Sequence, residues 1–162
     1  MNPTLIAIKQ KMSDSIDKII EQGQMPPKAK QFYTNTVTAG LKIMFDPSTH
    51  ANMELIKNPD SRKHPVETIS QGIAGLMWLM YKQSKNTMPI AIMIIAGTSV
   101  MADAIDFAER GLGIKFDNSM IARTTQLLSE NLFTKMGVSR EMLKGAVEKG
   151  RQEVHKHLSE VA

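Results

Sequence analysis

Three carboxylates, Asp103, Asp106 and Glu109, recur at steps of three, so neighbours in the run share a face if the segment is helical. Carboxylates at that spacing can ligate a divalent ion, because hard cations are held by converging oxygen ligands. Such a site needs a second acidic face opposite, and Asp14, Asp17 and Glu21 are the only candidates. Nothing else in the chain supports it, and the simpler expectation is a solvated end of a half-buried helix.

The other reactive residue types give less. His155 and His157 are two apart, which on a helix points them to different faces and argues against a zinc site. His50 and His64 flank polar turns beside helix starts, with no cysteine anywhere to join them in a metal site. Cysteine is absent, which removes disulfides, thiolate metal sites and a cysteine nucleophile. Gly111-Leu112-Gly113 lacks the preceding strand and the remaining glycines of a dinucleotide or phosphate loop, so it reads as a helix terminator. No serine lies in a Gly-x-Ser-x-Gly elbow. No catalytic residue, cofactor-binding residue or metal ligand is therefore expected, and no cofactor.

The elements that must position these groups are helical throughout. The chain has 162 residues, of which 42% are hydrophobic and 22% charged, the size and balance of one folded domain with its own core. The expected fold is a single all-α domain over residues 1–162, a bundle of about six to seven helices around a central apolar helical hairpin at residues 65–110. Asn2-Pro3 is a helix start, and Leu5, Ile8, Met12, Ile16 and Ile19 form an apolar stripe that ends near Gly23. A second helix is expected from about Lys28 to Phe45, with Phe32, Val37, Leu41, Met44 and Phe45 inward. Asp46-Pro47 opens a short third helix carrying Met53, Leu55 and Ile56. Asp60-Ser61-Arg62-Lys63 reads as a flexible or partner-facing loop.

From Thr68 to Tyr81 and again from Asn86 to Ala102 no residue is charged. Asn86-Thr87 can cap the second of these helices, with Pro89 in its first turn. Gly72, Ala74 and Gly75 on one helix and Ala91, Ala96 and Gly97 on the other would let the two backbones approach closely. A helix that is apolar all round lies in a core or in a membrane. The two runs are 14 and 17 residues long, short of the roughly 20 needed to cross the hydrocarbon layer, so burial in protein is favoured. The apolar stretch should stop at Gly111-Leu112-Gly113. Asp117 or Asn118 then caps a helix bearing Ile121, Leu127, Leu128, Leu132 and Phe133, which ends at Gly137. Ser139 caps a last, charged and partner-facing helix over residues 139–160.

Net charge is +4, but basic and acidic residues interleave and the aromatics number one Trp, two Tyr and five Phe. This is not the one-signed, aromatic-rich surface that grips nucleic acid, so any such contact would not be sequence-specific. The N-terminus has no basic region followed by an unbroken apolar stretch, hence no secretory signal is expected. Thirteen methionines suit either an irregular core or a surface that repacks against partners.

Met25-Pro26-Pro27-Lys28-Ala29 leading to Phe32-Tyr33, then Ala39 to Phe45, Gln83 to Pro89 and Ala102 to Phe107, resemble small α-helical structural proteins of tailed bacteriophages over roughly residues 25 to 136. The resemblance implies a virion component, made in the host cytoplasm: a head-tail connector, a neck element or an internal protein. It carries no functional motif to transfer. The expectation is a non-enzymatic homo-oligomeric subunit that contacts itself and other virion proteins through Trp78, Tyr81, Met77 and Met80 on the hairpin and Met142, Val154 and Leu158 on the final helix. Two alternatives stand beside it. One is a membrane-active ejected protein that inserts the 68–102 hairpin; the other is a magnesium-dependent helical nucleotide pyrophosphohydrolase built on the two acidic faces.

Overall fold

The computed structural model describes residues 1–50 and 53–139, together with 141, 142, 144, 145, 148 and 152. Every regular element among them is helical: α1 (Pro3–Glu21), α2 (Ala29–Phe45), α3 (Pro47–His50), α4 (Glu54–Lys57), a 3-10 turn (Ser61–Lys63), α5 (Pro65–Gln83), α6 (Ile90–Leu112) and α7 (Asn118–Lys135). The contacts divide the chain into two units, Met1–Leu132 and Phe133–Ala162. The first holds the bundle.

The caps follow from local chemistry. Asn2 Oδ1 accepts from the Thr4 amide at 2.9 Å with Pro3 opening the helix, and Asp117 Oδ1 accepts from the Met120 amide at 2.8 Å, which makes Asp117 and not Asn118 the cap of α7. Each satisfies an amide that the first turn leaves without a helical partner. Asp46 Oδ1 takes the Ser48 amide at 2.8 Å and its hydroxyl at 2.6 Å. The stretch expected as one third helix is two short ones, α3 and α4. The Asp60–Lys63 loop is not open chain: it winds into the 3-10 turn, and Arg62 Nε donates to the Leu55 carbonyl at 2.9 Å.

The centre of the bundle is α6 alone. It packs most extensively against α1 and α2 and less against α5, so the expected hairpin is present but is not the core's organising pair. Thirteen residues of α6 are buried, from Ile92 to Ala108. Helices on three sides leave it no solvent face along its middle, and even Thr98 and Ser99 are inside, bonded to the Ile94 carbonyl at 2.9 Å and the Tyr33 hydroxyl at 2.8 Å. α6 starts without a side-chain cap: Asn86-Thr87 does not supply one, and instead Ser84 Oγ accepts from the Met88 amide at 3.1 Å. It extends through Gly111 to Leu112 and stops at Gly113, whose φ of 70° lets the Ile114 amide return to the Ala108 carbonyl at 3.0 Å.

The glycines divide unexpectedly. A Cβ built on Gly97 would lie 3.0 Å from Cγ of Met77, and one on Gly40 would lie 3.1 Å from Cγ2 of Val100 and 3.3 Å from Cε of Met77. The two form a socket on α6 and α2 for one long side chain of α5. Gly72 and Gly75, expected to bring α5 against α6, have nothing within 4 Å of a Cβ and face away from the bundle. On α2 the buried residues are Ala29, Thr36, Gly40 and Met44, and Phe32, expected inward, is exposed. The face was misplaced because Thr36 and Gly40, small enough to let α6 approach, carry no apolar signal in the sequence.

Candidate functional site

The acidic run is neither a metal site nor a solvated helix end. Asp106 is only 4% exposed, and each member of the run is engaged. Lys9 Nζ reaches Asp103 Oδ1 at 2.7 Å, Arg110 pairs with Asp106 Oδ2 one turn on, and the Met1 ammonium lies 3.9 Å from Asp106 Oδ1. Glu109 Oε1 accepts from Asn2 Nδ2 at 3.5 Å and from the Phe116 amide at 3.3 Å. The stripe thus faces the start of α1, where Lys9 and the terminal ammonium supply cations. Asp103 Oδ2 and Asp106 Oδ1 are buried without a hydrogen-bond donor. A cleft of about 400 Å³ adjoins them, walled by Phe45, Phe107, Arg110 and Gly111, with the two phenyl rings edge to face at 5.6 Å.

The proposed opposite acidic face is elsewhere. Asp17 pairs with Lys30 on α2 at 2.7 Å, and Asp14 accepts from Gln10. Among the described residues no three His, Asp or Glu side chains are grouped so as to hold a metal ion. His50 is half-buried with Nε2 lacking a partner, and His64 precedes α5 without capping it. His155 and His157 lie outside the described residues. Asp46 is held below the usual carboxylate range, chiefly by the Ser48 hydroxyl and then the Ser48 amide, with smaller help from His50 and Lys42. That is a cap, not a reacting group.

The residues expected at an interface separate into three sets. Met77 is fully buried and Met80 nearly so; both belong to the core, because the Gly40–Gly97 socket draws that face of α5 inward, and neither is available to a partner. Trp78 and Tyr81 are half-buried, stacked on each other at 5.4 Å with the Lys82 ammonium 4.9 Å from the indole. Met142 is 61% exposed, one turn into a segment whose Ser139 Oγ accepts from the Met142 amide at 3.1 Å. Val154 and Leu158 lie outside the described residues.

Further apolar residues are exposed, Ile6, Ile43, Leu79 and Ile90 among them. Leu79 is 50% exposed and Ile90 47% exposed, and they flank the α5–α6 connection. Within an uncharged run, sequence periodicity does not distinguish an outward leucine from an inward one. A larger groove of about 640 Å³ opens between the end of α2, α4 and the outer side of α5, with Ile43, Leu55, Thr68, Gly72 and Leu76 among its walls.

The chain matches no family model, no curated protein and no solved structure.

Proposed function

We propose that this chain is a non-enzymatic structural subunit of a tailed-bacteriophage virion, a connector, neck or internal component that works by packing against copies of itself and against other virion proteins. One observation carries the assembly part of this reading: large apolar side chains stay exposed while the acidic run of α6 is engaged within the bundle. Asp103, Asp106 and Glu109 are each paired or hydrogen-bonded inside the chain, whereas Ile6, Leu79 and Ile90 are about half exposed. The phage assignment rests on the resemblance across residues 25 to 136.

Mass spectrometry of purified particles from a phage that encodes the chain tests that assignment. The protein is expected at many copies per particle; particles free of it contradict the proposal. The competing proposal of membrane insertion draws on α6, which at 23 residues is the one helix among the described residues long and apolar enough to span a bilayer, although 67% of its apolar window is buried inside the protein. Flotation with liposomes separates the two, since a virion subunit stays in the soluble fraction.

A further inference from the structure

The outward face of α5 has the form of a self-complementary helix seam. Thr68, Gly72, Gly75, Leu79 and Lys82 follow one another at spacings of four, three, four and three, the heptad rhythm that keeps a single stripe turned toward a neighbouring helix. Gly72, Leu79 and Lys82 are exposed, and Thr68 and Gly75 half-exposed. A Cβ at either glycine would meet nothing within 4 Å, so the middle of the stripe is open, while Thr68 at its start donates to the Ser61 carbonyl of the 3-10 turn at 3.3 Å. It pairs a notch at its centre and one end with a projecting leucine at the other. Its ends carry opposite charge, with exposed Glu67 eight residues before Gly75 and exposed Lys82 seven residues after it.

Building on the reading that the chain assembles with itself, we infer that α5 pairs antiparallel with α5 of a second copy, about a two-fold axis passing close to Gly75. An isologous contact requires each feature to meet its complement at the mirrored position, and this stripe meets the requirement three times. Gly75 faces its own counterpart, where two hydrogens allow the backbones close approach. Leu79 of each copy falls opposite position 71 of the other, one residue from Gly72 and at the mouth of the groove between α5 and α4 that Thr68, Gly72 and Leu76 help line. Lys82 falls within a residue or two of the partner's Glu67, and both lie on the flank that also carries Trp78. A parallel pairing would set Lys82 beside Lys82 and leave Leu79 against Leu79, with the notches empty. The charge pattern therefore selects the antiparallel copy.

The absence of cysteine makes the geometry directly testable. Gly75→Cys places a thiol at the axis, where the two Cα atoms would come within the roughly 4.4–6.8 Å that a disulfide spans. Thr68→Cys places thiols about 20 Å apart along antiparallel helices. On mild oxidation the first variant is expected to form a covalent dimer and the second to stay uncrosslinked. Lys82→Glu is expected to weaken dimerisation about tenfold, since two ion pairs become two repulsions, and Glu67→Lys combined with Lys82→Glu should restore it. Far-UV circular dichroism confirms that each variant folds. Crosslinking at Thr68 alone would overturn the antiparallel arrangement. An oligomer that neither crosslinks through Gly75→Cys nor responds to the charge exchange would overturn this contact and leave self-assembly through another face standing. A wild-type monomer would overturn both.

Discussion

α5 and α6 begin from the same sequence signal, a long run without charge punctuated by small residues, and end in opposite situations. α6 is enclosed by α1, α2 and α5 and buries its small residues against long ones, Gly97 against Met77 being the tightest case. α5 buries only one face, through Ile69, Ile73, Met77 and Met80, and turns Gly72, Gly75 and Leu79 to solvent. Absence of charge thus marks two different things, a core and a helix face turned to solvent. What separates them is whether a long side chain of another element occupies the space above each small residue.

The sharpest way to break this contrast is to truncate one residue from each helix. Ile105→Ala, at a site with no exposure, is expected to cost about 2–5 kcal/mol in urea unfolding. Leu79→Ala, half exposed, is expected to stay within about 0.5 kcal/mol in dilute solution while weakening self-association. Equal losses at the two positions would erase the distinction.

Glycine substitutions sharpen it next. Gly97→Val must push against Met77 and is expected to cost about 1–3 kcal/mol, measured by the same unfolding curves. Gly72→Ala enters open space within a helix and is expected to stabilise the dilute protein by about 0.5–1 kcal/mol, through lower backbone entropy in the unfolded chain. Opposite signs are the expectation, and destabilisation by both would mean that something covers Gly72.

Much of this organisation was legible in the sequence. The α1 stripe, its Asn2 cap and the Asp46 cap are readable, as are the α7 cap to within Asp117 or Asn118 and the α6 stop to within Gly111-Leu112-Gly113, because a cap or a left-handed terminus is decided by one or two residue types within a few positions. The partners of the small residues were not. Gly40 was given no role and Gly72 was placed against α6, since a glycine carries no side chain to report which neighbour it admits. The acidic run was misjudged for a related reason: its partners Lys9 and Met1 lie about a hundred positions away in the chain, and spacing along one helix says nothing of a cation delivered from another. Phe32 is exposed although apolarity alone would place it inward, because the contact face of α2 includes the small residues Thr36 and Gly40.

The ion pair behind that misjudgment gives a smaller test. Asp103 is mostly enclosed, its side chain 14% exposed, while Lys9 is 37% exposed. Lys9→Ala removes the donor from a carboxylate whose second oxygen already lacks one. The expected cost is about 1–2 kcal/mol, below that of a fully buried pair. Adding Asp103→Leu should recover most of the loss, and a double variant no better than the single would show that the pair is not what Asp103 depends on.

Asp46 gives the smallest effect. Its carboxyl is lowered by the Ser48 hydroxyl and amide, so its charged form is favoured in the folded chain. The stabilisation is complete above the ordinary carboxylate range and is lost as pH falls through the lowered value. Melting curves of the wild type and Asp46→Asn should differ slightly at neutral pH and converge in acid. A difference that persists unchanged into acid would contradict a charge-dependent cap.

If the α5 face pairs with a second copy while α6 stays buried, the chain self-associates in solution. Light scattering on the full 18.0 kDa chain across a concentration series reads it most directly. The account predicts a mass that rises to at least twice the chain mass by high micromolar concentration and falls back when Lys82→Glu is introduced. A mass that stays at 18.0 kDa throughout would contradict it.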